Sequence, residues 1–179
     1  MIFVTVGTHE QSFDRLIRYM DEWAKRNNER VIIQTGFSDY KPENCTWKKM
    51  FTYDEMVQNI NDARIVITHG GPSSFVPVLQ IHKVPIVVPR RFERNEHVNN
   101  HQVQFCEWFR KRKGGIIIID NIDELEDAIK NYDVLSEKLK YGIKNHNQEF
   151  CEELEKLIAS IMTESAISPA AENDTKALR

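Results

Sequence analysis

Short runs of β-branched residues alternate along this chain with stretches of helical spacing, and this alternation limits the fold more than any other feature. The runs at 2–6, 31–34, 65–68, 85–88 and 116–119 have the length of strands, and apolar residues recur at helical intervals between them. Strands that alternate with helices are typical of parallel βαβ units. The sequence therefore predicts an α/β fold with a single doubly wound parallel sheet.

Local signals predict the other elements. A short strand is expected near 47–51, and helices are expected over 54–61, from Pro72 onward, and over 96–111. Ser12 is the candidate N-cap of the first helix, and Pro72 suits a first helical turn because no N–H donor is needed there. The run at 116–119 predicts a strand that is buried on both faces.

One domain is expected to occupy most of the 179 residues. Residues 1–162 are predicted to form it, closed by a long C-terminal helix that runs from Leu135 to Ile161 and bends at Gly142. Residues 163–179 are polar and aperiodic, and they are predicted to form a disordered tail.

Composition excludes several classes of protein. Lys and Arg number 24 and Asp and Glu number 27, and a net charge of −3 argues against wholesale binding of nucleic acid. The chain has no apolar run of about 18 residues, and its first residues do not read as a signal peptide. The three cysteines are too far apart for a metal or redox pair. A cytoplasmic protein is expected.

Polar loops follow three of the predicted strands, at the edge where sheets of this kind bind ligands. They occupy residues 7–11, 69–74 and 90–102. The second loop, His-Gly-Gly-Pro-Ser-Ser, opens a helix, so its N–H groups, its hydroxyls and the helix dipole suit a phosphate. A tight turn with a serine cap explains the same residues equally well. Neither a P-loop nor a dinucleotide fingerprint occurs.

Three motifs in order resemble one known family. HGGPSSFVPVLQ at 69–80, VTVGTHEQSFDRLI at 4–17 and EHVNNHQ at 96–102 are similar to the family-28 glycosyltransferase C-terminal domain. That domain is the Rossmann-like, donor-binding half of a GT-B glycosyltransferase. The chain looks like the short catalytic subunits of two-part enzymes within this family. These include bacterial capsule or exopolysaccharide β-1,4-galactosyltransferases and the eukaryotic dolichol-diphosphate N-acetylglucosamine transferase.

The resemblance assigns a role to each motif. Residues 69–74 would hold the UDP diphosphate, the residues at 53 and 56 would border the uracil, and residues 96–102 would read the sugar hydroxyls. His9 is the candidate catalytic base, although full-length relatives carry their base on the other half. The expected donor-binding residues are Gly7, Thr8, Gln11, Tyr53, Met56, His69, Gly70, Gly71, Ser73, Ser74, Glu96, Asn100, His101 and Gln102.

Two positions depart from the family pattern. Pro77 stands where many relatives have a glutamate that binds the ribose, and Asn99 stands where relatives often have an aspartate. His97 and His101 are four residues apart on a predicted helix but lack a third ligand, so no metal site is expected. The basic run at 110–113 is interpreted either as ordinary helix termination or as a contact for anionic lipid head groups.

The function implied by the resemblance is that of an inverting, UDP-sugar-dependent hexosyltransferase subunit. UDP-galactose is the favoured donor, and a lipid-diphosphate-linked glycan of capsule or exopolysaccharide synthesis is the acceptor. No cofactor is expected, because the UDP-sugar is a substrate. A membrane-anchored, acceptor-binding subunit is the expected partner, and it would recruit the chain to the cytoplasmic face of the membrane. Two alternatives stay open: a non-catalytic UDP-sugar-binding or regulatory subunit, and a free-standing enzyme on a small nucleotide.

Overall fold

A computed structural model describes residues 1–140, which form a six-stranded sheet flanked by helices. The strands are β1 (Ile2–Thr5), β2 (Val31–Gln34), β3 (Thr46–Lys48), β4 (Ile65–His69), β5 (Ile86–Val88) and β6 (Ile117–Ile118). The helices are α1 (Asp14–Arg26), α2 (Tyr53–Asp62), α3 (Pro72–Gln80), α4 (His101–Arg112), α5 (Leu125–Lys130) and α6 (Tyr132–Lys140). Short 3₁₀ turns span Phe92–Arg94 and Ile122–Glu124.

The sheet confirms the predicted doubly wound topology. Its strand order is β3-β2-β1-β4-β5-β6, and every pair is parallel. The order reverses direction at β1 and β4, where Thr5 is in register with both Gln34 and Thr68. Doubly wound sheets bind ligands at such a switch point, at the carboxyl ends of the strands. The loops after β1, β2 and β4 therefore meet at one place.

Strand β1 lies at the centre of the hydrophobic core. Ile2 and Val4 face one side of the sheet and join the cluster that contains the apolar residues of α1 and α5. Phe3 faces the other side and packs against the cluster with Ile60 of α2. All of β1 is buried, which explains why its residues are apolar without alternation.

The first helix begins one residue later than its proposed cap implies. Helix α1 starts at Asp14, and Ser12 is not its N-cap. The Ser12 hydroxyl instead donates to Asp14 Oδ1 at 2.7 Å, and the same oxygen accepts the N–H groups of Asp39 and Tyr40. Asp14 therefore connects α1 to the loop after β2, and Ser12 supports that contact.

The helix predicted over 96–111 is wrong at its start. Helix α4 begins at His101, and the chain before it passes through a 3₁₀ turn and a left-handed Asn95 with φ 56°. Glu96 is buried and forms an ion pair with Arg15 of α1 at 2.7 Å. Because this tertiary contact fixes the segment in an irregular loop, local helical spacing does not decide its conformation.

The last strand also differs from its prediction. β6 is an edge strand, and Ile117 and Ile118 are only half-buried, while the adjacent Ile116 and Ile119 are buried. The strand predicted near 47–51 is the three-residue β3, exposed at the opposite edge. The first residues of the predicted long helix belong to α6, which begins at Tyr132, whereas the rest of that helix with its bend, the domain limit at residue 162 and the tail lie outside the described residues. Over residues 1–140, no helix has the length and hydropathy needed to cross a membrane.

Candidate functional site

A cleft of about 720 Å³ opens at the carboxyl ends of β1, β2 and β4. Its wall on one side is α3, and its wall on the other side is α2 with the segment before it. The lining residues are Thr5, Gly7, Thr8, His9, Gln34, Met50, Phe51, Tyr53, Met56, Val57, Ile60, His69, Ser73, Ser74, Pro77, Gln80 and Gln102. The cleft is apolar along α2 and polar at the turn between β4 and α3, which suits a ligand with an aromatic ring and a charged group.

His69, the last residue of β4, organises the turn that leads into α3. Its Nδ1 accepts a hydrogen bond from the Gly71 N–H at 3.0 Å, and its Nε2 lies 2.7 Å from the Ser74 hydroxyl. A neutral imidazole that accepts at Nδ1 carries its proton on Nε2. Nε2 therefore donates to Ser74 Oγ, and the hydroxyl proton of Ser74 is free to point at a ligand.

Three glycines of these loops leave room for the side chains of His69 and Gln102. A Cβ added at Gly7 or at Gly71 would overlap the imidazole, and Gly7 also has a left-handed φ of 75°. A Cβ at Gly70 would lie 2.9 Å from Gln102 Cβ. In the structure, packing of the protein's own side chains already excludes larger residues.

Most backbone N–H groups of the turn are already engaged. Gly70 donates to Gln102 Oε1 at 3.0 Å, Gly71 donates to His69, and Ser74 donates to the Gly71 carbonyl at 3.0 Å. Ser73 N–H has no partner among the described residues. Together with the hydroxyls of Ser73 and Ser74, it leaves three donors at the N-terminus of α3, where the helix dipole favours an anion.

His69 is neutral at physiological pH. Burial lowers its pKa to about 4, and the nearby positive charge of Arg90 acts in the same direction. The ring is only 8% exposed, so desolvation of the charged form has a large effect. His69 thus serves as a fixed hydrogen-bond donor to Ser74 and does not contribute a positive charge to the cleft.

Sequence reasoning missed Arg90, which joins the loops around the site. Its guanidinium donates to the carbonyls of Val6 at 2.8 Å, Gln11 at 2.7 Å and Ser12 at 3.3 Å, all in the loop after β1. It also donates to the backbone carbonyl of Glu96 at 2.9 Å. Its only sequence signal is a charged residue two positions after the end of the apolar strand β5. Arg90 therefore fixes the loop after β1 against the loop after β5.

The comparison with known families agrees with this geometry. The glycosyltransferase family 28 C-terminal domain matches residues 1–158 of the chain. The chain belongs to this family.

Two curated relatives of this family 28 domain have the same name. Each is a "UDP-N-acetylglucosamine--N-acetylmuramyl-(pentapeptide) pyrophosphoryl-undecaprenol N-acetylglucosamine transferase", one from Wolbachia sp. subsp. Drosophila simulans (strain wRi) and one from Wolbachia pipientis wMel. Each is 24% identical over 145 residues, which are 75% of this chain and 40% of the relative. The chain therefore spans about 40% of the length of these relatives.

The cleft of the family 28 domain brings together part of the predicted donor site. The predicted residues that line it are Gly7, Thr8, His9, Tyr53, Met56, His69, Ser73, Ser74 and Gln102. Tyr53 is 82% exposed at its rim, so its ring is available to a planar ligand. The predicted residues that do not line it are Gln11, Gly70, Gly71, Glu96, Asn100 and His101.

Side chains of the segment 96–102, which is expected to bind the sugar hydroxyls, are engaged in contacts within the protein. The Glu96 carboxylate accepts from Arg15 at 2.7 and 2.9 Å and from the Arg91 N–H at 3.0 Å. Asn100 accepts from the backbone of the preceding 3₁₀ turn and donates to a glutamate in that turn. His101 is exposed on α4 and stacks on Phe105. A sugar-reading role for these three side chains stays a prediction that requires this segment to rearrange.

The position of His9 does not favour its predicted role as a base. Its Nδ1 accepts the Gln11 N–H at 3.2 Å, so the neutral ring carries its proton on Nε2 and acts there as a donor. The ring packs against His97 in a tilted arrangement, with centroids 4.5 Å apart. Oε1 of Gln11 is buried without a partner in the described part of the chain. His9 is thus better placed to donate to an anion than to accept a proton.

The structure also bears on ribose and metal binding. Pro77, at the departure from the family pattern, lines the cleft, and so does Gln80 one turn later in α3, which offers an amide for the ribose hydroxyls. His97 precedes α4, so it does not share a helix with His101. Within residues 1–140, no group of three or more His, Cys, Asp or Glu side chains is arranged to hold a metal.

Proposed function

We propose that the cleft binds a UDP-sugar, with the diphosphate at the start of α3 and the uracil against α2. The observation that carries this proposal is the Ser74 hydroxyl, whose oxygen is engaged by His69 Nε2 at 2.7 Å so that its proton can reach the ligand. The free Ser73 N–H and the Ser73 hydroxyl complete a set of donors for phosphate oxygens. The apolar wall around Met56 and Tyr53 fits a planar base.

The same donors suit the departure of UDP during glycosyl transfer. An acceptor hydroxyl attacks the anomeric carbon on the face opposite UDP, the bond to the diphosphate oxygen breaks, and the configuration inverts. Negative charge then grows on the diphosphate, where fixed donors stabilise it most. The general base that takes the acceptor proton is proposed to lie on the acceptor-binding partner. Among the described residues, no carboxylate lines the cleft.

The acceptor and the partner are proposed from the resemblance to two-part transferases. The acceptor is a lipid-diphosphate-linked glycan, in keeping with the pyrophosphoryl-undecaprenol substrate in the relatives' name. A membrane-anchored subunit would bind it and recruit this chain to the cytoplasmic face of the membrane. No cofactor is proposed, since the UDP-sugar is a substrate. Transfer that requires both proteins and membranes would support this arrangement, and transfer by this chain alone would contradict it.

The donor sugar has two candidates. The resemblance to capsule and exopolysaccharide enzymes favours UDP-galactose, whereas the two relatives are named for UDP-N-acetylglucosamine. Competition of each nucleotide sugar against UDP, measured by calorimetry, separates them. If UDP-N-acetylglucosamine binds at least tenfold more tightly than UDP-galactose, the galactosyl assignment is wrong.

A non-catalytic UDP-sugar-binding subunit is the second candidate function. The hydrogen bonds of both cleft histidines favour it, because Nδ1 of each ring already accepts a backbone N–H and is not free to take an acceptor proton. The two candidates differ in turnover. Release of UDP from the donor in the presence of partner and acceptor supports the transferase, and tight binding without release supports the binding subunit.

Calorimetry on Ser74→Ala tests the binding proposal that both candidates share. A hydrogen bond to a charged group contributes about 1.5–3 kcal/mol, so UDP affinity should fall by about tenfold or more. Ser136→Ala is the matched control, because Ser136 donates to a carbonyl within α6 and lies away from the cleft. Equal UDP affinity of Ser74→Ala and the wild type would remove the turn from the site.

A further inference from the structure

A buried arginine lies behind the proposed phosphate-binding turn and has no carboxylate of its own. Arg90 is 0% exposed, and all the hydrogen bonds of its guanidinium within the described residues go to backbone carbonyls. Burial lowers the pKa of Arg90 to about 10, so the guanidinium is still charged at neutral pH. A buried charge of this kind is costly unless an opposite charge compensates it.

The surrounding charges do not balance it. Glu96 is the buried acid whose negative charge acts on Arg90 against the effect of burial, but its two carboxylate oxygens are bound by Arg15 at 2.7 and 2.9 Å. The neighbouring Arg91 is paired with Asp120 at 2.9 Å. The buried group of Arg15, Arg90 and Glu96 therefore carries one net positive charge. The protein holds this charge beneath the loop after β1, whose carbonyls Arg90 binds.

The field of Arg90 reaches the cleft. Burial lowers the pKa of His69 and of His97, and the Arg90 charge lowers both further. His69 lines the cleft, as do Gly7, Thr8 and His9 of the loop that Arg90 supports. Arg90 itself does not line the cleft. Its charge therefore acts on the site through a medium of low polarity and without direct contact.

We propose that Arg90 is an electrostatic positioning residue of the donor site, whose buried charge is compensated by the diphosphate of the bound nucleotide. This inference rests on the proposed function, since it needs an anionic ligand in the cleft. Arginine suits the role because one planar guanidinium can hold several loop carbonyls and still carry its charge. The ligand's charge, more than its base or sugar, should then decide how strongly binding depends on Arg90.

Calorimetry with UDP, UMP and uridine on Arg90→Met and Arg90→Lys tests this dependence. For Arg90→Met, we expect UDP affinity to fall at least tenfold, UMP affinity about threefold and uridine affinity less than twofold. Arg90→Lys keeps the charge, so it should recover most of the preference for UDP over uridine. Arg91→Met removes a charge that Asp120 already neutralises, and as the matched control it should leave all three affinities near the wild-type values.

Titration of the His69 ring by NMR supplies a second readout. Removing the Arg90 charge should raise the pKa of His69 toward its ordinary value, and Arg91→Met should not. Equal losses for UDP, UMP and uridine, or a His69 titration that does not move, would show that Arg90 only supports the loop and would overturn the proposal.

Two further outcomes are decided by other measurements. If Arg90→Met does not fold, Glu96→Gln is measured in its place. That variant raises the net positive charge of the buried group, so the ratio of UDP affinity to uridine affinity should rise. A fall in this ratio would overturn the proposal. If the wild-type chain binds uridine but shows no preference for UDP, Arg90 has no electrostatic role in the site. If it binds neither ligand, the proposed function itself fails.

Discussion

Replacing His69 by glutamine should change how the free energy of unfolding depends on pH. Burial lowers the pKa of His69 from 6.5 to about 4 in the folded protein. Between these values the unfolded chain binds a proton at this position and the folded chain does not. Stability contributed by the neutral ring is therefore complete above pH 6.5 and is lost as the pH falls toward 4. At 1.36 kcal/mol per unit of pKa, the whole loss is about 3 kcal/mol.

The structural reason is the pair of hydrogen bonds at the ring. A protonated His69 would place a proton on Nδ1, which now accepts the Gly71 N–H at 3.0 Å, so charging the ring opposes the turn as well as its burial. Glutamine cannot take up a proton in this range. The His69→Gln variant should therefore be less stable than the wild type at pH 7.5, and the difference should shrink as the pH falls.

Urea unfolding at pH 7.5, 6.5, 5.5 and 4.5, followed by tryptophan fluorescence, measures this difference, because Trp23 is buried in the folded protein and becomes exposed on unfolding. Other groups titrate in both proteins and cancel in the comparison. His82→Gln, at an exposed site after α3 that does not line the cleft, provides the matched control, and it leaves the contribution of His69 to the pH dependence in place. If the stability of His69→Gln falls with pH as steeply as that of the wild type, His69 is not held neutral and the tautomer argument fails.

Three further predictions concern Gly71, Gln102 and Tyr132. Gly71→Ala places a methyl group against the His69 ring, so the melting temperature and UDP affinity should both fall, and unchanged values would mean that the ring can move aside. Gln102→Ala removes the side-chain oxygen that accepts two backbone N–H groups, one in the loop after β4 and one in the loop after β5, so the affinities for UDP and for the UDP-sugar should fall alike. A loss of affinity confined to the UDP-sugar would instead support the sugar-binding role of this segment. Tyr132→Phe removes a buried hydroxyl that donates to the Val84 carbonyl at 2.8 Å, so it should cost about 1 kcal/mol in urea unfolding without changing UDP affinity.

The sequence predicted the parallel sheet well because its signals are local. Apolar runs such as Ile65–His69 are too short for helices, and the Pro72 that follows sits at the first position of α3, as expected. The sheet order and the meeting of the loops after β1 and β4 then follow from general rules of α/β folds. Most predicted residues of these two loops do line the cleft for this reason.

The segment from 90 to 102 was harder to predict because distant contacts decide it. Glu96 forms an ion pair with Arg15, which lies 81 residues earlier in the chain, and no local sequence pattern predicts this ion pair. The buried guanidinium of Arg90 donates to backbone carbonyls of a loop that lies 78 to 84 residues earlier in the chain. A motif at this position indicates which family the chain belongs to, but only tertiary contacts show which side chains remain free for a ligand.

The central claim is that the turn between β4 and α3 holds the diphosphate, and the amide of Ser73 reports on it most directly. This N–H is free within the described residues, whereas those of Gly70 and Gly71 are already bonded. In a ¹H–¹⁵N correlation spectrum titrated with UDP, the Ser73 amide should shift downfield more than either glycine and become protected from exchange. UDP binding that leaves the Ser73 amide unchanged would contradict the account.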